Sequence, residues 1–455
     1  MTKARVIFAC QNCGHQSIKW LGRCPDCQEW NSFVEEEVAA EPHTARSGAI
    51  EFGPSSAPLS IAEVDAEEEP RLVSGIGEFD RAAGGGLVPG SVLLVGGDPG
   101  VGKSTLVLQA LGRLAAQGAP VLYVTGEESA RQVKRRADRL GTLDPRLVVM
   151  SETSVDTILA ALRKLKPRAF AVDSIQTMHV GELSSAPGSV GQVRESASRF
   201  LAAAKRTGMA AILIGHVTKD GSLAGPRVLE HMVDAVLAFE GDRTYPFRVL
   251  RAVKNRFGST NEVGVFEMRR EGLVEVANPS ELFLAERPAD QPGSVVTVSL
   301  EGTRPLLVEV QALVSPTSFG TPRRTTIGVD PNRVAMLAAI LEKKAGLDLV
   351  GCDLFVNVAG GVRLTEPAVD LGLAVALASS FVDKPVAADT LVFGELGLAG
   401  EVRSVSQVEL RLAEARKMGF ARAITPKAGR RDEPAPAGMS VEAVRHIAEV
   451  VDKLF

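Results

Sequence analysis

The sequence predicts an α/β protein of three parts, and three observations carry that prediction. From Arg71 to about Pro288, β-branched apolar runs alternate with longer helical stretches. That is the pattern of βαβ units and a mainly parallel sheet with helices on both faces. Two CxxC pairs stand ahead of this stretch. Behind it, after the Pro-rich joint ERPADQPG (286–293), alternating strands such as SVVTVSL and PLLVEVQALV lead into helices at 331–346, 367–380 and 406–418, an α+β pattern. The 455 residues hold about three domains of ~100–200 residues each. No internal repeat is visible.

Composition sets the class. The chain is 45% hydrophobic, 23% charged and 5% aromatic, ordinary for a globular protein, which excludes wholesale disorder and fibrous architectures. Its charge sum is 51 − 55 = −4, so bulk attraction does not hold it on nucleic acid and any such contact needs local basic patches. The start, MTKARVIFAC, has no secretory h-region, and no run approaches the ~18 apolar residues of a membrane span. Five cysteines are too few for a disulfide scaffold in so long a chain. These features predict a cytoplasmic protein with no membrane partner.

Residues 1–34 form the cysteine unit. Cys10-x2-Cys13 and Cys24-x2-Cys27 are two hooks ten residues apart; each offers two thiolates, and together they complete the tetrahedral S4 shell that zinc prefers. So short a segment buries little core, so metal binding itself supplies much of its folding energy. A thioredoxin-like redox pair needs a βαβ context that is absent here. His15 reads as a polar surface residue, and Trp20, Trp30 and Phe33 read as rings covering the knuckles rather than as a partner contact. Residues 35–70, with acid runs, Pro and Ser and neither period, read as a linker.

The central part, 71–288, carries its strands at SVLLVGG (91–97), PVLYVTG (120–126), RAFAVDS (168–174), AAILIGH (210–216), DAVLAFEG (234–241) and RVLRAVKN (248–255). Between the first strand and the helix TLVLQALGRLAAQ lies Gly97-Asp98-Pro99-Gly100-Val101-Gly102-Lys103-Ser104, followed by Thr105. This matches GxxxxGK[ST] in the strand–loop–helix context the chemistry requires. The glycines turn backbone N–H groups into one anion nest with a helix dipole behind it, Lys103 reaches the β- and γ-phosphates, and Ser104 holds Mg²⁺. ATP with Mg²⁺ is therefore the expected ligand. Asp173, closing the run Ala169–Val172, is the expected Walker-B carboxylate. Glu127, directly after VLYVTG, is the expected catalytic base, and Glu128 the acid of the following helix's first turn. His216 closes another strand at the same edge and is a candidate γ-phosphate sensor. Arg131, Lys134, Arg135, Arg136 and Arg139 make a basic helix face, which a merely solvated helix also shows.

GDPGVGKST, VTGEES, VDSIQT, GHVTKDGSLAGPRVLEHMVD and KNRFG, placed after a four-cysteine ribbon, resemble the bacterial RadA (Sms) DNA-repair family over essentially the whole chain. The resemblance implies a central domain similar to RecA and to the DnaB helicase. It assigns phosphate and Mg²⁺ binding to Lys103 and Ser104, metal ordering to Asp173 and water activation to Glu127. Lys254-Asn255-Arg256-Phe257-Gly258 is that family's signature; on its own it also reads as a solvated basic turn. In RecA-like rings the equivalent place projects into the neighbouring subunit's ATP, so Lys254 and Arg256 are expected as trans-acting cations of a homo-oligomer, a hexameric ring. The stretches Met178–Arg194 and Thr218–Arg227 stand where RecA-like proteins carry DNA loops. Arg194, Lys219 and Arg227 are the candidate phosphate contacts, and mobile surface loops are the equal alternative.

Residues 289–455 are similar to the proteolytic domain of Lon, through VNVAGGVRLTEPAVDLGLAVALAS and FGELGLAGEVRSVSQVELRLAEARKMGF. The Lon nucleophile position falls on Ala368 and the Lys position on Glu409, and neither side chain can do that chemistry. This domain is expected to hold subunits together or face DNA, with Cys352 as a small buried hydrophobe. The function expected is that of a DNA-dependent ATPase, a motor translocating on single-stranded DNA to drive branch migration and processing of recombination intermediates. Its expected partners are single-stranded and branched DNA and, by resemblance, a RecA-type recombinase. An ATP-dependent peptidase and an ATP-switched assembly protein are the other classes; the dyad positions oppose the first, and stimulation of ATPase by DNA separates the second.

Overall fold

The computed structural model describes residues 5–10, 16–26, 28–38, 70–217, 223–224, 228–241, 247–288, 290–317, 320–427 and 437–455. The chain divides into two compact units, Met1–Glu275 and Val276–Phe455. The first begins with a three-stranded antiparallel sheet of β1 (Arg5–Cys10), β2 (Gln16–Ser17) and β3 (Phe33–Val38), ordered β2-β1-β3. Here the structure differs from the sequence reading. Glu35–Glu37, assigned above to the linker, pair with Phe8, Ile7 and Val6. An acidic run has no apolar alternation to betray a strand, and the backbone pairing is supplied by β1.

The nucleotide-type core follows. It contains α1 (Gly77–Ala82), β4 (Val92–Gly97), α2 (Lys103–Ala116), β5 (Val121–Thr125), α3 (Ala130–Arg139), β6 (Leu147–Ser151), α4 (Val155–Leu165), β7 (Ala169–Asp173), α5 (Val190–Thr207) and β8 (Ala210–Ile214). After the short β9 (His216–Val217) and β10 (Leu223–Ala224) come α6 (Val228–Met232), β11 (Ala235–Glu240), β12 (Phe247–Asn255), β13 (Val263–Arg269) and β14 (Gly272–Glu275). The sheet order is β14-β13-β12-β11-β4-β8-β7-β5-β6. The strands from β11 to β6 run parallel; β12, β13 and β14 add an antiparallel flank.

Period-two alternation explains the layers. Leu93, Val95, Tyr123, Ala169, Ala171 and Ile212 bury against α2 and α3. Their neighbours Val92, Leu94, Leu122, Phe170, Val172 and Leu213 bury against α4 and α5. Both faces are covered, which is why these strands read as continuous apolar runs. Asp173 keeps the parity of Ala169 and Ala171, so its carboxylate is on the α2 side.

The second unit opens with α7 (Pro279–Leu284), then β15 (Ser294–Glu301), β16 (Arg304–Pro316), β17 (Arg324–Ile327), α8 (Pro331–Ala345), β18 (Cys352–Val358), α9 (Asp370–Val382) and β19 (Thr390–Val392). The hairpin β20 (Glu395–Leu396) and β21 (Val402–Arg403) is followed by α10 (Val408–Lys417), β22 (Arg422–Pro426), β23 (Ser440–Val444) and α11 (Ile447–Leu454). Its sheet runs β17-β18-β16-β15-β19-β22-β23. The division falls at 275/276, ahead of the joint at 286–293, because α7 packs within this unit: Ser280 Oγ donates to Glu414 and accepts the Leu307 N–H. Among the described residues, no helix is long and apolar enough to cross a membrane.

Arg411 on α10 is 0% exposed. Its guanidinium bonds Glu366 through both terminal nitrogens, the Val298 carbonyl at 2.9 Å and the Ser406 carbonyl at 3.0 Å, and lies over the Phe393 ring. Removing one member of a buried pair costs about 3–5 kcal/mol, whereas replacing both with apolar groups is often neutral. Arg411→Met should therefore speed hydrogen exchange of the β15 amides roughly a hundredfold, and Arg411→Met with Glu366→Leu should restore most of the protection. Equal exchange in the single variant and the wild type would remove the pair from the account of this core.

Candidate nucleotide site

The site forms where parallel strands end. Thr125, Asp173 and Ile214 lie in one row across β5, β7 and β8, and Ile214 pairs with Val95 of β4. The loops leaving β4, β5 and β7 therefore open at one edge, the usual ligand edge of such sheets. After β4 the backbone turns through Gly97 (φ 156), Gly100 (φ 82) and Gly102 (φ 116), the last being the N-cap of α2. A Cβ on Gly97 would stand 2.3 Å from the Phe239 carbonyl, and one on Gly102 would stand 2.8 Å from Met268 Cε. Both places therefore require glycine.

Lys103 is 4% exposed. Its Nζ donates to the carbonyls of Gly97 at 2.6 Å and Asp98 at 2.9 Å. Burial pulls its pKa below the ordinary value, while the negative charges of Asp173, Asp98 and Glu127 push it back up. Ser104 and Thr105 occupy the first turn of α2, half-buried, while Asp98, Pro99 and Gly100 form the exposed rim and Val101 is buried. Asp173 is 5% exposed and receives the Tyr123 hydroxyl. Glu127 receives Ser174 Oγ, which places it beside the end of β7. Glu128 instead pairs with Arg136 at 2.8 Å, and both backbone N–H groups at 127–128 are directed to Thr125 Oγ1.

Several of these partners are absent from the motif reading. Tyr123 sits inward on β5, its hydroxyl pushed well above its ordinary pKa by burial, and Arg136 donates to it at 3.0 Å. Arg248, 5% exposed on β12, donates to the Val101 carbonyl at 3.2 Å and braces the loop from behind. The available signals were slight: a Tyr of inward parity two residues before the end of its strand, and one of two arginines in the strand FRVLRAVKN.

Lys254 and Arg256 lie elsewhere. A β-bulge between β11 and β12 leaves Val253 exposed and re-aims the chain, so Ala235, paired with Leu93 of β4, meets Asn255. This is the opposite end of β4 from Gly97, about 13 Å away along the strand. Lys254 Nζ donates to the carbonyls of Glu230 (2.6 Å) and Val233 (2.7 Å), closing the end of α6; burial, then the Arg256 charge, lowers its pKa. Arg256 pairs with Asp234 at 3.3 Å, whose other oxygen accepts the Val92 N–H, and its side chain remains 54% exposed. Arg194 is exposed on α5. Its preceding loop is tied down by buried Gln192, which bonds Val180, Leu183 and Ser185. Lys219 and Arg227 lie outside the described residues, and His216 is described only as backbone of β9.

In the N-terminal ribbon, Cys10 and Cys24 are buried in one small core with Phe33, while Cys13, His15 and Cys27 lie outside the described residues. Two adjacent sulfur donors fit a zinc shell, and the cation, hydroxyl and carboxylate around the glycine loop fit a Mg²⁺-nucleotide. Trp20 and Trp30 are exposed at 51% and 66% rather than covering the knuckles. Trp20 Nε1 donates to the Phe33 carbonyl at 3.2 Å and Arg23 lies over Trp30. In the second unit Ala368 is buried in a turn and Glu409 is exposed on α10. Cys352 is buried as expected of a small hydrophobe.

Residues 8–35 match the family described as rubredoxin metal binding domain, 80–222 that described as AAA domain, and 324–429 that described as subunit ChlI of Mg-chelatase. The DNA repair protein RadA of Bacillus subtilis (strain 168) is 52% identical over 452 residues, 99% of each chain. The protein of that name from Pseudomonas aeruginosa is 51% identical, and that from Streptococcus pyogenes serotype M1 49%, each over 455 residues and 100% of both chains. The chain belongs to the RadA family of DNA repair proteins. It is an AAA-type ATPase of that family, with ATP-binding and zinc-binding domains.

The hydroxyl on Asp173 yields a test. Outer partners of a metal-ordering carboxylate are commonly worth 10–100-fold in metal affinity. Tyr123→Phe should weaken the Mg²⁺-dependent part of nucleotide affinity by about tenfold while leaving metal-free nucleotide affinity unchanged, as read by calorimetric titration. Equal losses with and without Mg²⁺ would mean that the hydroxyl supports the loop and not the carboxylate.

Proposed function

We propose that this chain is a DNA-dependent ATP hydrolase working as a hexameric ring that moves along single-stranded DNA and promotes branch migration and processing of recombination intermediates.

 Its carrying observation is the placement of charge at the two ends of one sheet. Lys103, Ser104, Asp173 and Glu127 gather at the strand ends, whereas Lys254 and Arg256 sit at the far end, where they cannot reach the same nucleotide. In this reading Lys103 and the α2 N-terminus hold the phosphates, and Glu127 takes a proton from the attacking water. Mg²⁺, held by Ser104 and ordered by Asp173, would neutralise phosphate charge when bound. The partly exposed Arg256 and Lys254 serve the nucleotide of a neighbouring copy, supplying positive charge to the transferring phosphoryl group.

The remaining assignments are part of the same proposal. Zinc on Cys10, Cys13, Cys24 and Cys27 folds the ribbon, whose partner is a RecA-type recombinase by family resemblance. Arg194 on α5, with Lys219 and Arg227, meets DNA phosphates, and His216 senses the γ-phosphate of the nucleotide. The C-terminal domain, 289–455 with α7, assembles subunits and is not a peptidase, since Ala368 and Glu409 stand where a nucleophile and its amine would be needed. The protein works in the cytoplasm.

The first experiment is ATP hydrolysis with and without single-stranded DNA over a salt series. Stimulation that fades with salt is expected, with Lys103→Ala inactive and Arg256→Ala and Lys254→Ala reduced by roughly 10²- to 10³-fold. Lys254→Ala mixed with excess Lys103→Ala should regain activity, because mixed interfaces unite an intact loop with an intact cation. Hydrolysis indifferent to DNA would favour an assembly protein, and no regain on mixing would sink the shared site.

A further inference from the structure

Helix α3 presents charge that its own fold does not use. Its inward residues Val133 and Ala137 are buried, and its start is closed by a capping box of Ser129 and Gln132. Arg131, Lys134, Arg135 and Arg139 are all exposed, and at ~100° per residue they share one solvent face, with Asp138 as its single carboxylate. Among the described residues none of these four cations has an ion pair, whereas Arg136 on the same helix pairs with Glu128, and Arg146 nearby pairs with Asp144. Helix stability accounts for Arg139, which stands in the last turn, but not for the rest of the face. Arg131 stands in the first turn, where the helix dipole disfavours a cation. Arg131 with Lys134 and Arg135, and Arg135 with Arg139, are like-charge pairs at i,i+3 and i,i+4, which oppose the helix.

The inner side of this helix meets the nucleotide site. Arg136 donates to the Tyr123 hydroxyl at 3.0 Å, Tyr123 donates to Asp173, and Arg136 also lies 4.0 Å from that carboxylate. From Arg131 to Arg139 the helix rises about 12 Å, over which one strand of a duplex presents three to four phosphates at ~3.4 Å each. We propose that the solvent face of α3 is a contact surface for the phosphate backbone of nucleic acid, and that Arg136 ties its occupancy to the Walker-B carboxylate. This rests on the reading of the chain as a DNA-responsive ATPase, and it places a contact on a regular helix outside the loops that follow β7 and β8. Binding there reads charge and spacing, not base sequence.

The test uses the full chain and a fluorescent single-stranded oligonucleotide of mixed sequence, titrated across salt concentrations with a non-hydrolysable ATP analogue present. Arg131→Gln/Lys134→Gln/Arg135→Gln removes three charges with residues that keep the helix. Arg163→Gln/Lys164→Gln/Arg168→Gln removes three equally exposed charges from the end of α4 and the start of β7 as a control. The α3 variant should lower the slope of log affinity against log salt by about 2, at ~0.7 per lost phosphate contact. It should also lose most DNA stimulation of hydrolysis and keep the DNA-free rate. An unchanged slope, or an equal loss in the control, overturns the proposal. A fall in the DNA-free rate matching the fall in the stimulated rate also overturns it, since the helix would then be only a support of the site. No binding by the wild type would defeat the DNA reading itself, which the variants alone cannot do.

Discussion

A buried cation constrains the whole nucleotide-binding half. Lys103 has almost no access to water, and an ammonium group in that position must be compensated or lose its proton. Compensation comes from the carbonyls of Gly97 and Asp98 and from the negative charges of Asp98, Asp173 and Glu127. Each requires something of the fold. The loop that carries these carbonyls can turn as it does because Gly97 and Gly102 adopt backbone angles closed to other residues. Asp173 faces the lysine only because it ends β7 with the parity of Ala169 and Ala171. Glu127 is held there by Ser174, the residue after Asp173.

The same parallel sheet separates that site from the second set of charges. Strands that run together have all their starts at one end, so residues entering near Val92 are a strand's length from residues leaving at Gly97. Asp234 fixes this arrangement by accepting the Val92 N–H and pairing with Arg256. Lys254 is more committed to its own subunit than Arg256, because its ammonium already closes the end of α6. If both act on a neighbour's nucleotide, Arg256 can do so with less rearrangement, since half of its side chain is in water.

Sequence was most informative where one residue type is chemically required. The glycine loop, Lys103 and Asp173 were legible because phosphate binding restricts both identity and spacing, and the core strands were legible because both of their faces are apolar. Tyr123, Arg136 and Arg248 were not legible: their roles arise from neighbours across the sheet, and nothing local distinguishes a tyrosine that meets Asp173 from one that merely fills the core. Glu35–Glu37 failed as a strand for the related reason that pairing with β1, not side-chain pattern, makes them one. The bulge at Val253, which aims the basic motif, has no signature in KNRFG itself.

The second unit shows how a charge pair can serve as a structural tie. Glu366 lies two residues before Ala368, and Arg411 two residues after Glu409, so the pair of buried Arg411 and half-buried Glu366 joins the two segments that would have to cooperate in a hydrolytic dyad. Every group in it is already engaged. Glu366 receives the Leu300 N–H at 2.6 Å and the Arg411 guanidinium, and Arg411 Nε is directed to the Ser406 carbonyl. A guanidinium does not give up its proton at accessible pH, so it cannot act as the base that a hydroxyl nucleophile needs, even if one were restored at 368. What the pair does supply is geometry: it fixes the turn at Pro367–Val369 against β15 and the start of α10. A charge pair used in this way holds two distant segments of the chain in register.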